Sequence, residues 1–181
     1  MQAGDGTTLE LAGAQWSFTL ALYGRPGVAD ACLLLQDRLG ADVCLLLFSL
    51  FVAREHGWLL DDRELANLDR AVAAWRAEVV WPLRALRRRM KTGPDPAPST
   101  ATDPLLQQIK AAEICAEQIE LAALARLCAP HPPAPRTTSV QPSLLLDRLG
   151  QFFAARSGNP AMRAAPEIAA ALEVLAAALQ A

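Results

Sequence analysis

The sequence predicts an all-α fold: a single-domain helical bundle around one central apolar helix at about residues 42–54, with a helical C-terminal extension. Three observations carry this. Hydrophobic residues make up 52% of the chain but aromatics only 6%, a Leu- and Ala-rich balance that favours helix over sheet. Apolar positions recur at helical spacing, as in Leu65, Leu68, Val72, Trp75 and Val79. Finally, 181 residues suffice for one well-buried core and are too few for two with linkers.

Taken in order, Trp16 to Tyr23 reads as a short apolar helix stopped at Gly24, and Pro26 suits the first turn of a second helix ending at Leu39 and Gly40. Asp42 is placed to cap the third helix, because its carboxylate can accept the unsatisfied amides of the first turn. From Val43 to Val52 that helix has almost no polar position, so it belongs at the centre. Asp61 and Glu64 form a capping-box pattern opening a fourth helix from Asp62 to Val80. Pro82 lacks an amide proton and crowds the preceding turn, so Leu83 to Lys91 reads as a separate basic amphipathic segment. Thr92 to Pro104 has little to bury and reads as a linker before a long helix from Leu105 to Leu127. A second Pro-rich stretch follows, then a helix capped by Ser143 and a last Ala-rich helix starting at Pro166. The expected organisation is a core at 14–128, a linker at 129–142 and a C-terminal extension at 143–181.

Charge and composition narrow the function. The formal net charge is −2 and the pI about 5.7, so nucleic acid is not an expected partner and any such role would need a local patch. The uncharged run from Val43 to Ala53 is about half a membrane span, and no span is expected. The N-terminus lacks the basic start and apolar stretch of a signal peptide. Cys32, Cys44, Cys115 and Cys128 form no CxxC pair and fall in apolar helical stretches, where a thiol behaves as a small hydrophobe. A cytoplasmic location is the expectation.

The strings W-S-F-T-L-A-L-Y-G-R-P-G-V, A-C-L-L-L-Q-D-R-L-G-A-D-V and L-L-L-F, from Trp16 to Phe48, resemble a small proteobacterial family of conserved proteins of unknown function. The segments W-R-A-E-V-V-W-P-L-R-A-L-R-R-R-M-K and K-A-A-E-I-C-A-E are similar to its second half, extending the likeness to about residues 16–128. Two positions depart from the pattern: Cys44 stands where the family usually has Asn, and Gln15 where Phe usually precedes Trp. The resemblance implies a helical fold and a bacterial origin. It implies no activity, cofactor or catalytic residue.

Two groups of residues are candidates for function. Gln36, Asp37 and Asp42, with Arg38, cluster at the junction of the second and third helices and form a candidate ligand-binding site; the plainer reading is one helix cap and one ion pair with an arginine. Arg84, Arg87, Arg88 and Lys91, backed by Trp81, Leu83, Leu86 and Met90, form a candidate partner-binding face. Against it, Glu113, Glu117 and Glu120 on the long helix, or acidic residues of the fourth, can neutralise these arginines within the fold. Lys110, Glu113 and Glu117 share a helix face, which ordinary intrahelical pairing explains. The aromatics Trp16, Tyr23, Trp58, Trp75 and Trp81 either fill the core or line an apolar cavity.

Neither catalytic residues nor metal ligands are assigned. His56 and His131 fit no zinc or di-iron spacing, no Walker or GxGxxG loop is present, and no cofactor is expected. Asp61 and Asp62 lack the second acidic stretch that a magnesium-diphosphate site would need. The reading that requires no catalytic group is an interaction or regulatory module using the basic face, with a protein partner or a second copy. The alternative is a small-molecule-binding bundle or enzyme with its polar site at Gln36, Asp37 and Asp42, which demands a cavity beside them.

Overall fold

Eight α-helices make up the computed structural model, which describes residues 8–93, 95–97, 99–128 and 141–180. They are α1 (Ala14–Tyr23), α2 (Val28–Leu39), α3 (Val43–His56), α4 (Asp62–Trp75), α5 (Trp81–Met90), α6 (Ser99–Cys128), α7 (Pro142–Arg156) and α8 (Pro166–Gln180). Among the described residues there is no strand, and no helix is long and apolar enough to cross a membrane.

Every residue of α3 from Val43 to Ala53 is buried, including Ser49, whose hydroxyl donates to the Leu45 carbonyl 2.7 Å away. The helix has no polar face because it has no solvent side. Helices α1, α2 and α6 pack against it, and α4 and α5 lie along α6. On the far side α8 packs along α2, with α7 against α8, so that Leu146, Leu149, Phe153, Ile168 and Leu175 join the same apolar cluster as Val28, Leu35 and Leu46.

The predicted punctuation of α3 and α4 is present. Asp42 Oδ1 accepts from the amides of Cys44 at 2.9 Å and Leu45 at 3.2 Å, and Asp61 and Glu64 close a capping box. Gly40 and Gly57 terminate α2 and α3 with φ of 61° and 65°, a left-handed backbone that glycine adopts without a Cβ clash.

Several expectations are corrected. Helix α2 begins at Val28 and not at Pro26, because Gly27 takes a left-handed φ of 79° at the N-cap. Pro82 does not detach the basic segment. The chain stays helical through a π turn, Arg76–Val80, in which the Trp81 amide reaches back to the Arg76 carbonyl, and this wider turn accommodates Pro82, which follows it directly and has no amide to donate. Helix α6 starts at Ser99, inside the expected linker: Pro104 forgoes one amide hydrogen bond near the start of the helix, while Leu106 and Ile109 pack on Met90 of α5. Gln141, not Ser143, occupies the N-cap of α7, with Pro142 in the first turn. Residues 129–140 of the expected linker lie outside the described residues.

All four cysteines are free thiols. Cys32 and Cys44 are buried and Cys128 is half-buried, but Cys115 is exposed, contrary to the expectation of four apolar positions, because it falls on the outer face of α6.

Candidate functional site

Polar side chains enter the bundle at the N-terminus of α3. The second carboxylate oxygen of the capping residue, Asp42 Oδ2, lies 2.5 Å from the Arg76 guanidinium. Arg76 stands in the π turn, buried, and also meets Asp69 at 2.9 Å and Glu120 at 3.6 Å. Asp69 is shared in turn with Arg156 of α7. Three carboxylates thus surround one buried guanidinium, and Arg156 adds a second positive charge from outside. Glu120, 1% exposed, is pushed up to about 9 by burial first and the neighbouring Asp42 carboxylate second, so it holds its proton at neutral pH. With Glu120 neutral, Arg76 and Arg156 balance Asp42 and Asp69.

Asp42, Cys44 and Glu120 bring a thiol and two carboxylates within 4.8 Å of one another, a donor set of the kind that holds a cation. Here the guanidinium of Arg76 already supplies the positive charge, against the same carboxylates. Burial also raises the Cys44 thiol well above its ordinary range, with Glu120 and Asp42 adding to the effect, and its Sγ lies 3.8 Å from the Glu117 carbonyl.

The candidate residues of the two sequence groups come together above this layer. Arg84 donates to Gln36 Oε1, pairs with Glu117 at 2.5 Å and reaches Glu113 at 3.4 Å. Arg87 grips Glu113 with two donors, at 2.5 and 3.2 Å. Arg88 pairs with Asp37 at 3.1 Å in solvent, the arginine partner that Asp37 was expected to need. Lys91 lies exposed just beyond α5. The glutamates of α6 therefore pair across to α5 and not along their own helix with Lys110, correcting the intrahelical expectation. Burial raises Glu117 above its ordinary value, opposed by the adjacent Arg84.

Two cavities flank these pairs. A cleft of about 300 Å³ is floored by Asp42, Arg76 and Glu120 and bordered by Gln36, Asp37, Trp81, Arg84 and Arg88. A larger groove of about 550 Å³ runs between α1, α2, α5 and α6, sharing Gln36, Asp37, Arg84 and Arg88 with the cleft and adding Trp16, Tyr23, Arg87, Lys91, Lys110 and Ile114. Both fall in the size range of small-molecule sites. Of the candidate aromatics, Trp16 and Tyr23 line the groove and Trp81 the cleft, whereas Trp75 donates its indole N–H to the Ala116 carbonyl at 3.0 Å.

Sequence reasoning passed over Arg76. The available signal was its position: it follows Val72 by four residues, on the buried stripe of its helix, where an unpaired arginine would be costly.

An all-α bundle with an ion-paired polar layer beneath an open groove is the class of protein that fold and site define. The chain belongs to the family described as Protein of unknown function (DUF2390), whose model matches residues 14–124. That segment contains every residue named above in the cleft and groove. Neither a curated protein nor a solved structure matches the chain.

Proposed function

We propose that this chain is a small-molecule-binding helical bundle whose site is the groove between α1, α2, α5 and α6. One observation carries the reading: Arg84 and Arg87 turn inward onto Gln36, Glu113 and Glu117 and line a space of about 550 Å³ beside Gln36 and Asp37. A partner-docking face needs these arginines outward. The interaction-module reading keeps Arg88, Lys91 and the neighbouring Arg89 on the surface with Trp81 and Leu86, but loses Arg84 and Arg87 to the fold. Four free thiols fit a reducing compartment such as the cytoplasm.

Methyl-resolved NMR with a fragment library tests the reading. Shifts are expected at Leu20, Leu33 and Ile114 in the groove and not at Leu127 or Leu144, which are equally exposed elsewhere. Fragments that touch only the distant leucines, or none at all, would exclude a site here.

A further inference from the structure

We infer that the groove takes an anionic amphiphile, a carboxylate or phosphate head on an apolar body, bound as a single molecule. This rests on the binding reading above and names the ligand class of that site. The charge of the lining is the first ground. Its cations are Arg84, Arg87, Arg88, Lys91 and Lys110, and its carboxylates are Asp37, Glu113 and Glu117. The carboxylates are taken by the three arginines. Lys91 and Lys110 are left with no carboxylate partner among the described residues. Lys91 and Lys110 directly follow Met90 and Ile109, which pack together in one small apolar cluster, so the two lysines are carried by neighbouring stretches of chain.

The rim is the second ground. Leu20, Tyr23, Leu33 and Ile114, exposed by 54%, 37%, 41% and 51%, all border this groove, with Trp16, Val43, Leu47 and Leu121 also in its lining. Exposed large apolar side chains gathered around one concavity mark a surface that gains from being covered. A wholly polar anion would leave them in water. An uncharged lipid would leave Lys91 and Lys110 unpaired, and a cation would meet a lining with two positive charges in excess. A molecule with one charged end and one apolar end satisfies both parts.

Binding of dodecanoate, dodecyl phosphate, dodecanol and dodecyltrimethylammonium to the full chain, below their self-association concentrations and followed by tryptophan fluorescence and calorimetry, tests the inference. The two anions are expected to bind one per chain, and to weaken as salt rises. A Lys91→Gln/Lys110→Gln variant is expected to lose about tenfold in affinity for the anions, as two partly screened ion pairs would give, and to show no change for dodecanol. Ile114→Asp, at an exposed position, is expected to weaken both anions and dodecanol. Equal affinity for dodecanol and dodecanoate would overturn the ligand class while leaving the groove as a site. Silence from all four probes, together with fragment shifts at Ile114, would also overturn it. Phosphatidylglycerol vesicles separate the sources of the same chemistry: the chain is expected to stay in the supernatant, and co-sedimentation without binding of the monomeric anions would overturn the inference in favour of a membrane surface.

Discussion

Asp42 uses its two oxygens for different purposes, one to cap α3 and the other to meet Arg76. Substitution separates them. Asp42→Asn keeps the cap but removes the charge, whereas Asp42→Ala loses both and strands part of a buried guanidinium. The alanine variant should lose about 3–5 kcal/mol, the range for breaking a buried pair by removing one partner, and the asparagine variant measurably less, because its side-chain oxygen still accepts the Cys44 and Leu45 amides. Urea denaturation of the two proteins checks the order. Glu120 gives a pH signature with a definite sign. Its pKa rises from 4.5 in the unfolded chain to about 9 in the fold, so the folded state keeps a proton that the unfolded state releases. The stabilisation this represents is fully present below pH 4.5 and is lost as pH rises through about 9, so unfolding free energy should fall across that window. Glu120→Gln, which hydrogen-bonds without titrating, should flatten the slope, and an unchanged slope would place the proton on another group.

At the scale of elements, the π turn from Arg76 to Val80 sets the rotation of α5 relative to α4. A π turn accommodates one residue more than a regular turn, and so absorbs a residue that would otherwise rotate everything beyond it by about 100°. Deleting the exposed Glu78 should therefore leave a regular α-turn with Arg84 and Arg87 still on Glu117 and Glu113, and Glu78→Ala should stay within about 0.5 kcal/mol of the parent. Thermal melts of both, with the Ile114 methyl signal as a reporter of the groove, check that the register beyond the turn is kept. The same turn shows where a linear sequence stops being readable. Asp42, the Asp61–Glu64 box and the apolar α3 were legible because each depends on neighbours within one or two turns. The π turn was not, because Pro82 carries a local signal for a break and nothing local announces the wider turn that absorbs it. Gln36, Asp37 and Asp42 were found as one cluster and the arginines of α5 as another, but their meeting depends on a fold that brings residue 84 to residues 36 and 117. Glu113 and Glu117 offered two partners at once, Lys110 along the helix and arginine across it, and spacing alone favoured the local one.

Over the whole molecule, the core continues past the segment that the family model matches. Val28, Leu35 and Leu39 of α2 share one apolar cluster with Leu172, Leu175 and Leu179 of α8, and Arg25 donates to the Ala178 carbonyl near the end of that helix. A chain ended at residue 128 would bare this face of α2, and at roughly 1.5–3 kcal/mol for each fully buried large side chain the loss exceeds the stability of an ordinary domain. Such a truncation should unfold without a cooperative transition, as calorimetry would show. The graded burial of the thiols supplies a built-in chronometer. Cys115 is open to reagent, Cys128 is half covered with its thiol raised to about 11 by burial, and Cys32, raised to about 12 for the same reason, lies sealed with Cys44 between the helices. Alkylation followed by intact mass should therefore arrive in steps, the first mass addition reporting surface chemistry, the second local breathing at the end of α6, and the last pair arriving together, timed by the opening of the entire bundle.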